Sequence, residues 1–285
     1  KETISASLNK SLHFTISPKE AIMGKKYVFV TYDVPVNDKD EVDLSVIDRT
    51  FKLLAQHLSP NSTVVISSQL PVGYSRKILN FLSKKVIGIN VIYFPENLRL
   101  GTAFDSFLKA DRMVIGSNNP KILDEFENDF SSLNCPFIKI GLESAEMVKH
   151  MLNSYLALTI SFSSEISDLV ELLGGNMQEI VNAVKTERRV SQYAPLNPGL
   201  GFAGGTLGRD VQTLRKLAKK NNYKTLLLDS VYQVNRNRFP YLIKKIKTGL
   251  GNLKGKSIGI LGLTYKPNTN TLRRSMGIEI AALLK

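Results

Sequence analysis

The sequence predicts an α/β protein: part of a mostly parallel sheet, then a helical region built on one long helix, then the start of a second α/β unit. Three observations carry this. Short, near-continuous apolar runs alternate with helical segments through the first half, as in βαβ units whose strands are buried on both faces. From Ser144 to about Leu173 there is no Gly or Pro, and apolar residues recur at helical spacing. After a Gly/Lys-rich stretch at 249–256, the run Ser257-Ile258-Gly259-Ile260-Leu261-Gly262 reads as the first strand of a new unit. The expected divisions are 1–142, 143–250 and 251–285.

In chain order, Tyr27–Thr31 reads as a buried strand, and Asp43–Leu58 as a helix with Val46, Ile47, Phe51 and Leu54 on one face. Asn61 and Ser62 punctuate before a strand at Thr63–Ile66. A helix at Arg76–Leu82, a strand at Val91–Phe94 and a strand at Arg112–Gly116 follow. Pro120 opens a helix expected to reach Leu133, and Phe137–Ile140 is the fifth strand. Ser144 is placed as the cap of the long helix, with Gly174-Gly175 as its stop. At 1.5 Å per residue its thirty residues make a rod about 45 Å long, a length that usually spans a domain or subunit boundary. Helices follow at Gln178–Val184 and Arg209–Lys220, then a long one from about Lys224 to Thr248, expected to be interrupted near Pro240.

Composition narrows the function. Lys+Arg 38 against Asp+Glu 25 gives +13, which favours an anionic partner: nucleic acid, a membrane surface or a phosphorylated small molecule. The single cysteine, Cys135, excludes an internal disulfide framework and a multi-Cys zinc site. His13, His57 and His150 are far apart in sequence, so no metal is expected. No apolar run has the length to cross a bilayer, and Lys1-Glu2-Thr3-Ile4-Ser5 is no signal peptide, so a cytoplasmic protein is expected.

The densest motif is Asn197-Pro198-Gly199-Leu200-Gly201-Phe202-Ala203-Gly204-Gly205-Thr206-Leu207-Gly208-Arg209-Asp210. Its glycines allow close approach of the backbone to a ligand just before a helix start, where N–H groups attract anions. A mobile linker is the plainer explanation, but Phe202, Arg209 and Asp210 interrupt the glycines with specific side chains. Phe94-Pro95-Glu96-Asn97-Leu98-Arg99-Leu100-Gly101 directly follows a strand, where parallel sheets place their ligand crevice. An ordinary solvated loop would look similar. Lys149 and Asn153, four apart on the long helix, share a face; taken alone, such a pair is usually surface polarity.

Taken in order, these segments resemble the UDP-glucose/GDP-mannose dehydrogenase family over nearly the whole chain. The resemblance runs through Leu70-Pro71-Val72-Gly73, Pro95–Arg99, Phe107-Leu108 with Asp111-Arg112 and Val114-Ile115-Gly116, then Ser144-Ala145-Glu146 with Lys149, the Gly-rich run, and Gly262–Thr269 with Arg273 and Ser275. It implies a Rossmann-like NAD domain, a central helical domain that forms a homodimer through its long helix, and a carboxy-terminal domain for a UDP-sugar. The implied reaction oxidises a sugar C6 alcohol to an acid in two hydride transfers, through a thiohemiacetal and a thioester on a cysteine. Lys149 and Asn153 then fall on residues that stabilise an oxyanion and orient water, and Asp210 on an aspartate associated with that water. Glu96, Asn97, Leu98, Arg99, Asn197, Gly199, Gly201, Phe202, Ala203, Tyr265 and Lys266 fall on the substrate side. Pro35, Gln69, Leu100, Arg209 and Arg273 fall on the cofactor side.

The departures matter as much. The family's catalytic cysteine aligns with Thr206, and Cys135 is elsewhere. A thiol of pKa about 8.5 can supply a thiolate; a hydroxyl is far less acidic and needs an adjacent base. The glutamate after Leu-Arg aligns with Leu100, and Asn270-Thr271 stands where an aspartate pair is expected. Gln69 takes the place of a threonine. The G-x-G-x-x-G turn that would hold the pyrophosphate is expected ahead of the first strand and is not found there, and the chain is expected to lack the family's first βαβ unit and most of its last domain. Three readings follow: a dehydrogenase that Thr206 and Leu100 limit to one oxidation, an inactive UDP-sugar-binding paralogue, and a nucleic-acid binder using Arg236, Arg238, Lys244, Lys245 and Lys247. No nucleic-acid motif accompanies the last cluster, so a solvated helix face is the simpler account and neither nucleic acid nor membrane is the expected partner.

Overall fold

The computed structural model describes residues 2–8, 10–32, 34, 35, 37, 42–95, 98, 101–202, 204–264, 269–272 and 275–285, with backbone alone at 2, 3, 204 and 205. The elements in order are α1 Glu2–Ser7, α2 Pro18–Ile22, β1 Tyr27–Val30, α3 Ser45–Leu54, β2 Thr63–Ile66, α4 Tyr74–Leu82, β3 Asn90–Tyr93, α5 Ala103–Leu108, β4 Met113–Gly116, α6 Pro120–Asp129, β5 Phe137–Ile140, α7 Leu142–Leu172, α8 Met177–Val184, α9 Arg209–Lys220, α10 Leu226–Leu250 and α11 Met276–Leu284. The chain divides into two compact units. The first takes in 1–35, 43–97 and 107–147, and the second 36–42, 98–106 and 148–285.

The first unit is built on a five-stranded sheet of order β1-β2-β3-β4-β5. Val64, Val65 and Ile66 are fully buried, as expected of a strand covered on both faces. β1, β2 and β3 pair in parallel, and so do β4 and β5, but β3 meets β4 antiparallel at Tyr93 and Gly116. Side chains continue that pairing: the Ser117 hydroxyl donates to the Val91 carbonyl at 2.8 Å, and the Asn119 amide to Asn90 Oδ1 at 2.9 Å. The expected parallel sheet therefore reverses direction once. Beneath it Phe126 stacks on Phe130 with ring centroids 4.4 Å apart, and Val65, Ile92 and Ile115 pack around Phe126. Each such burial is worth about 1.5–3 kcal/mol. α3 buries Ile47, Phe51 and Leu54, the apolar face its spacing predicts.

Four local expectations need correction. The helix opened by Pro120 ends at Asp129 rather than Leu133, and a short 3-10 turn follows at Ser131–Leu133. The long helix starts at Leu142 rather than at Ser144, because β5 passes directly into it and the Ala145 N–H bonds the Gly141 carbonyl at 2.9 Å. Ser144 thus lies inside the first turn. α10 runs unbroken through Pro240: the ring removes one backbone donor, and the flanking turns carry the helix across the gap. Ser257–Gly262 forms no strand, since no other described segment supplies a ladder for it.

In the second unit, Ala157 of α7, Phe202, Val211 of α9 and Val231 of α10 make a small core, with Leu158, Leu207 and Tyr232 packed around it. Asn176 caps α8 by accepting from the Gln178 and Glu179 N–H groups. No helix of the described residues is long and apolar enough to cross a membrane.

Candidate functional site

In the first unit, register sets the geometry. Val30 pairs with Ile66, and Ile66 with Tyr93, so the carboxyl ends of β1, β2 and β3 lie side by side. The segments leaving that edge carry exposed Pro35, half-buried Gln69 and buried Pro95. After Gln69 the chain turns at Gly73, whose φ of 88° lies in the left-handed region that favours glycine. The carboxylate of fully buried Glu146, from the first turns of α7, accepts the Gly73 N–H at 2.5 Å and the Ser75 N–H at 2.7 Å. Burial pushes the Glu146 carboxyl above its ordinary range, against the pull of those two donors. Alongside, Arg76 makes a paired contact with Glu143, at 2.7 and 2.9 Å. Gly116 must be glycine, because a Cβ there would stand 2.4 Å from the Ala145 Cβ.

The second unit holds the main cluster. α7 presents Lys149, His150 and Asn153, and α9 begins with Arg209 and Asp210. His150 Nδ1 lies 3.0 Å from Asp210 Oδ1, and the Asn153 amide donates to Asp210 Oδ2. Arg209 Nε lies 4.0 Å from Asp210 Oδ1. The three hydrogen-bonded members are buried: Asp210 is 0% exposed, His150 2% and Asn153 7%. Burial pushes the Asp210 carboxyl up, but the His150 bond and charge, the Arg209 charge and the Asn153 bond pull it further down, and the net result lies below the ordinary value. Asp210 is thus a buried anion held by donors on two helices.

The Gly-rich run is clamped rather than loose. The Asn235 side chain on α10 accepts the Phe202 N–H at 2.8 Å and donates to the Phe202 carbonyl at 2.9 Å. Gly201 has φ of 100°, and a Cβ there would stand 2.4 Å from Asn235 Oδ1, so glycine is required on both counts. Arg238 bonds the Gly199 carbonyl at 3.3 Å and pairs with Asp168. A π-helical turn, Gly204–Gly208, then leads straight into α9. Thr206 on that turn is half-buried and precedes Asp210 by four residues, about one turn, on the same face. Cys135 belongs to the first unit, packs against its aromatic core and has its thiol pushed up by burial, so it offers no reactive thiolate.

Of the other expected positions, Asn197 is exposed and Leu98 is 42% exposed. Glu96, Asn97, Arg99, Leu100, Ala203, Tyr265, Lys266 and Arg273 lie outside the described residues. The network brings together Asn153, Asp210 and Arg209. Sequence reasoning missed His150 in that network, Asn235 as the clamp on the Gly-rich run, and Glu146 as an acceptor in the first unit. His150 carried a signal, since it lies three residues before Asn153 on a helix and so shares its face. Asn235 carried none. Among the described residues no cluster of three or more His, Cys, Asp or Glu could hold a metal ion.

Comparison with known proteins adds two family matches. Residues 1–134 match the NAD binding domain of the UDP-glucose/GDP-mannose dehydrogenase family, and residues 143–237 match its central domain. UDP-glucose 6-dehydrogenase TuaD of Bacillus subtilis is 30% identical over 281 residues, which are 98% of this chain and 61% of that protein. The UDP-glucose 6-dehydrogenase of Rickettsia conorii is 33% identical over 275 residues, 96% of this chain and 63% of its own length. Among solved structures, a UDP-glucose dehydrogenase of the hyperthermophilic archaeon Pyrobaculum islandicum superposes with a TM-score of 0.90 at 27% identity, covering 99% of this chain and 66% of that one. The chain therefore spans a little over three fifths of the length of these relatives.

Proposed function

The chain belongs to the UDP-glucose/GDP-mannose dehydrogenase family, and from that premise we propose that the whole protein is an NAD-dependent nucleotide-sugar dehydrogenase that oxidises the C6 alcohol of a UDP-glucose-like sugar and stops after the first oxidation. The observation that supports this most is the second-unit network. Asn153 and Asp210 are joined in a buried, charged arrangement beside Lys149, whereas the position expected to carry the nucleophilic cysteine holds Thr206. A hydroxyl at Thr206 lacks the acidity to capture the aldehyde, and Leu100 has no group to activate water for hydrolysis.

The dinucleotide fits the carboxyl edge of β1, β2 and β3, with Pro35 and Gln69 on it. It does not fit the start of α4, whose first N–H groups already bond Glu146. When bound, NAD supplies the acceptor for a hydride from carbon. The chain's own residues do the rest. Lys149 stabilises the oxyanion at the reacting oxygen, Asn153 orients it, and Asp210 fixes Asn153. The clamped loop at Gly199, Gly201 and Phe202 holds the sugar nucleotide, and Glu96, Tyr265 and Lys266 complete its contacts. Arg209 and Arg273 offset the diphosphate charge.

The partner in this proposal is a second copy of the chain, met along α7. Met151, Tyr155, Phe162, Leu169 and Leu172 alternate at steps of three, four or seven and are 50–78% exposed. This is the pattern of a helix seam awaiting a partner. The lone cysteine and the dinucleotide chemistry support a cytoplasmic location.

Calorimetric titration with a panel of UDP-sugars, with GDP-mannose as control, tests the substrate. One UDP-sugar is expected to bind, and Lys149→Ala to weaken it. Preference for GDP-mannose, or binding indifferent to Lys149→Ala, would refute the assignment.

A further inference from the structure

Asp210 is a carboxylate held below the ordinary range, so both its oxygens act only as acceptors. The atom of His150 that faces it at 3.0 Å, Nδ1, must therefore be the protonated one. The atom of Asn153 that faces it must be the amide nitrogen, which turns the Asn153 carbonyl oxygen away from Asp210. At 2% and 0% exposure, His150 and Asp210 are too deep to meet a ligand from solvent, while Asn153 lies at the edge of the same cluster. The three are thus linked in the order His150, Asp210, Asn153, with Asn153 the most exposed of them.

We propose that His150 is a positioning residue of the dehydrogenase site: by donating from Nδ1 it holds Asp210 in the orientation that keeps one Asn153 N–H on Asp210 and leaves the rest of that side-chain amide to face the reacting oxygen. It rests on the function proposed above. An imidazole suits the task because it supplies a rigid donor at fixed height above the helix. Lys149 on the same turn carries an ammonium on a flexible stem in place of a rigid ring. A shape-filling Phe would leave Asp210 one donor short, loosening the hold on the carboxylate and with it on the Asn153 amide. Asn at position 150 reaches the place of Nδ1 with an amide nitrogen, whereas Gln reaches the place of Nε2.

Two measurements test this, one of them independent of activity. The chain labelled with ¹⁵N-histidine has only His13, His57 and His150 to assign, and His150→Phe identifies the third signal. At mildly alkaline pH the His150 signal is expected to show a proton on Nδ1; an unprotonated Nδ1 overturns the proposal. In the whole protein, His150→Phe and His150→Gln are expected to lower kcat roughly 10- to 100-fold, as supporting residues around a reactive site do. KM for the UDP-sugar is expected to stay within about threefold, because position 150 does not touch the ligand. His150→Asn is expected to recover most of the kcat that His150→Phe loses. Equal loss in the Asn and Phe variants, or no loss in Phe, overturns the proposal. A wild-type protein that oxidises no UDP-sugar overturns the dehydrogenase function itself, whereas an unprotonated Nδ1 in an active enzyme overturns only the role given to His150.

Discussion

In the proposed reaction, Thr206 is where the chemistry of this chain parts from its family resemblance, and a single substitution there separates capture from hydrolysis. A thiol at 206 can attack the aldehyde, and oxidation of the resulting hemiacetal leaves a thioester on the protein. Leu100 offers no carboxylate to hydrolyse it. Thr206→Cys is therefore expected to accumulate a covalent sugar adduct visible by intact-protein mass spectrometry, and Thr206→Cys with Leu100→Glu to turn over. Release of free acid by Thr206→Cys alone would show that water is activated elsewhere. Asp210 makes a different prediction. Its folded carboxyl lies below the ordinary 3.8, so the unfolded chain binds the proton more readily and folding is favoured above that range. The stabilising contribution is complete above the ordinary value and is lost as pH falls through the depressed one. Asp210→Asn is expected to cost roughly 1–3 kcal/mol at neutral pH, since charge-assisted bonds are lost. In urea unfolding the gap to wild type should hold above about pH 5 and shrink below about pH 4. A gap that widens in acid would contradict the assignment. At this scale the sequence made Asn153, Asp210 and Arg209 visible through their motifs. His150 is signalled only by sharing the Asn153 face, because a lone histidine on a helix acquires its partner only when a segment sixty residues away is packed against it.

At the level of elements, β2 illustrates what a sequence makes plain: four apolar residues between turn signals form a strand buried at every position. α3 and α6 are equally legible, the latter from Pro120 at its first position after the Asn119 cap. Ser257–Gly262 has the same look and forms no strand, because a strand exists only through its ladder and its apolar run says nothing of a neighbour. The reversal between β3 and β4 was invisible for the same reason: strand direction belongs to the pair. The Gly-rich loop reads as mobile from composition, yet Asn235 fastens it at both polar groups of Phe202. Gly201→Ala is expected to strain the left-handed backbone by roughly 1–2 kcal/mol and to push on the Asn235 amide 2.4 Å away. Measured by calorimetry, UDP-sugar affinity should fall about tenfold or more while the far-ultraviolet spectrum is unchanged. Unaltered affinity would mean that the loop does not shape the sugar site.

For the whole molecule, the proposed diphosphate-bearing substrate and dinucleotide would account for the +13 charge without recourse to nucleic acid. The basic cluster on α10 is in part committed internally, with Arg238 on Asp168 and Lys245 on Glu171. Assembly is tested on the exposed α7 seam. Phe162→Glu places a charge at its middle and is expected to convert a dimer to a monomer in light scattering, with the second-unit network undisturbed because Phe162 points to solvent at 57% exposure. A dimer that survives the change would place its interface elsewhere. Most direct of all is the stoichiometry of the reaction itself: NADH formed per UDP-sugar consumed by the whole protein, followed to completion. One NADH per sugar, with the aldehyde trapped by a hydrazine, is the predicted result. Two per sugar would show that the second oxidation proceeds without a cysteine at 206, and none would contradict the assignment of a dehydrogenase.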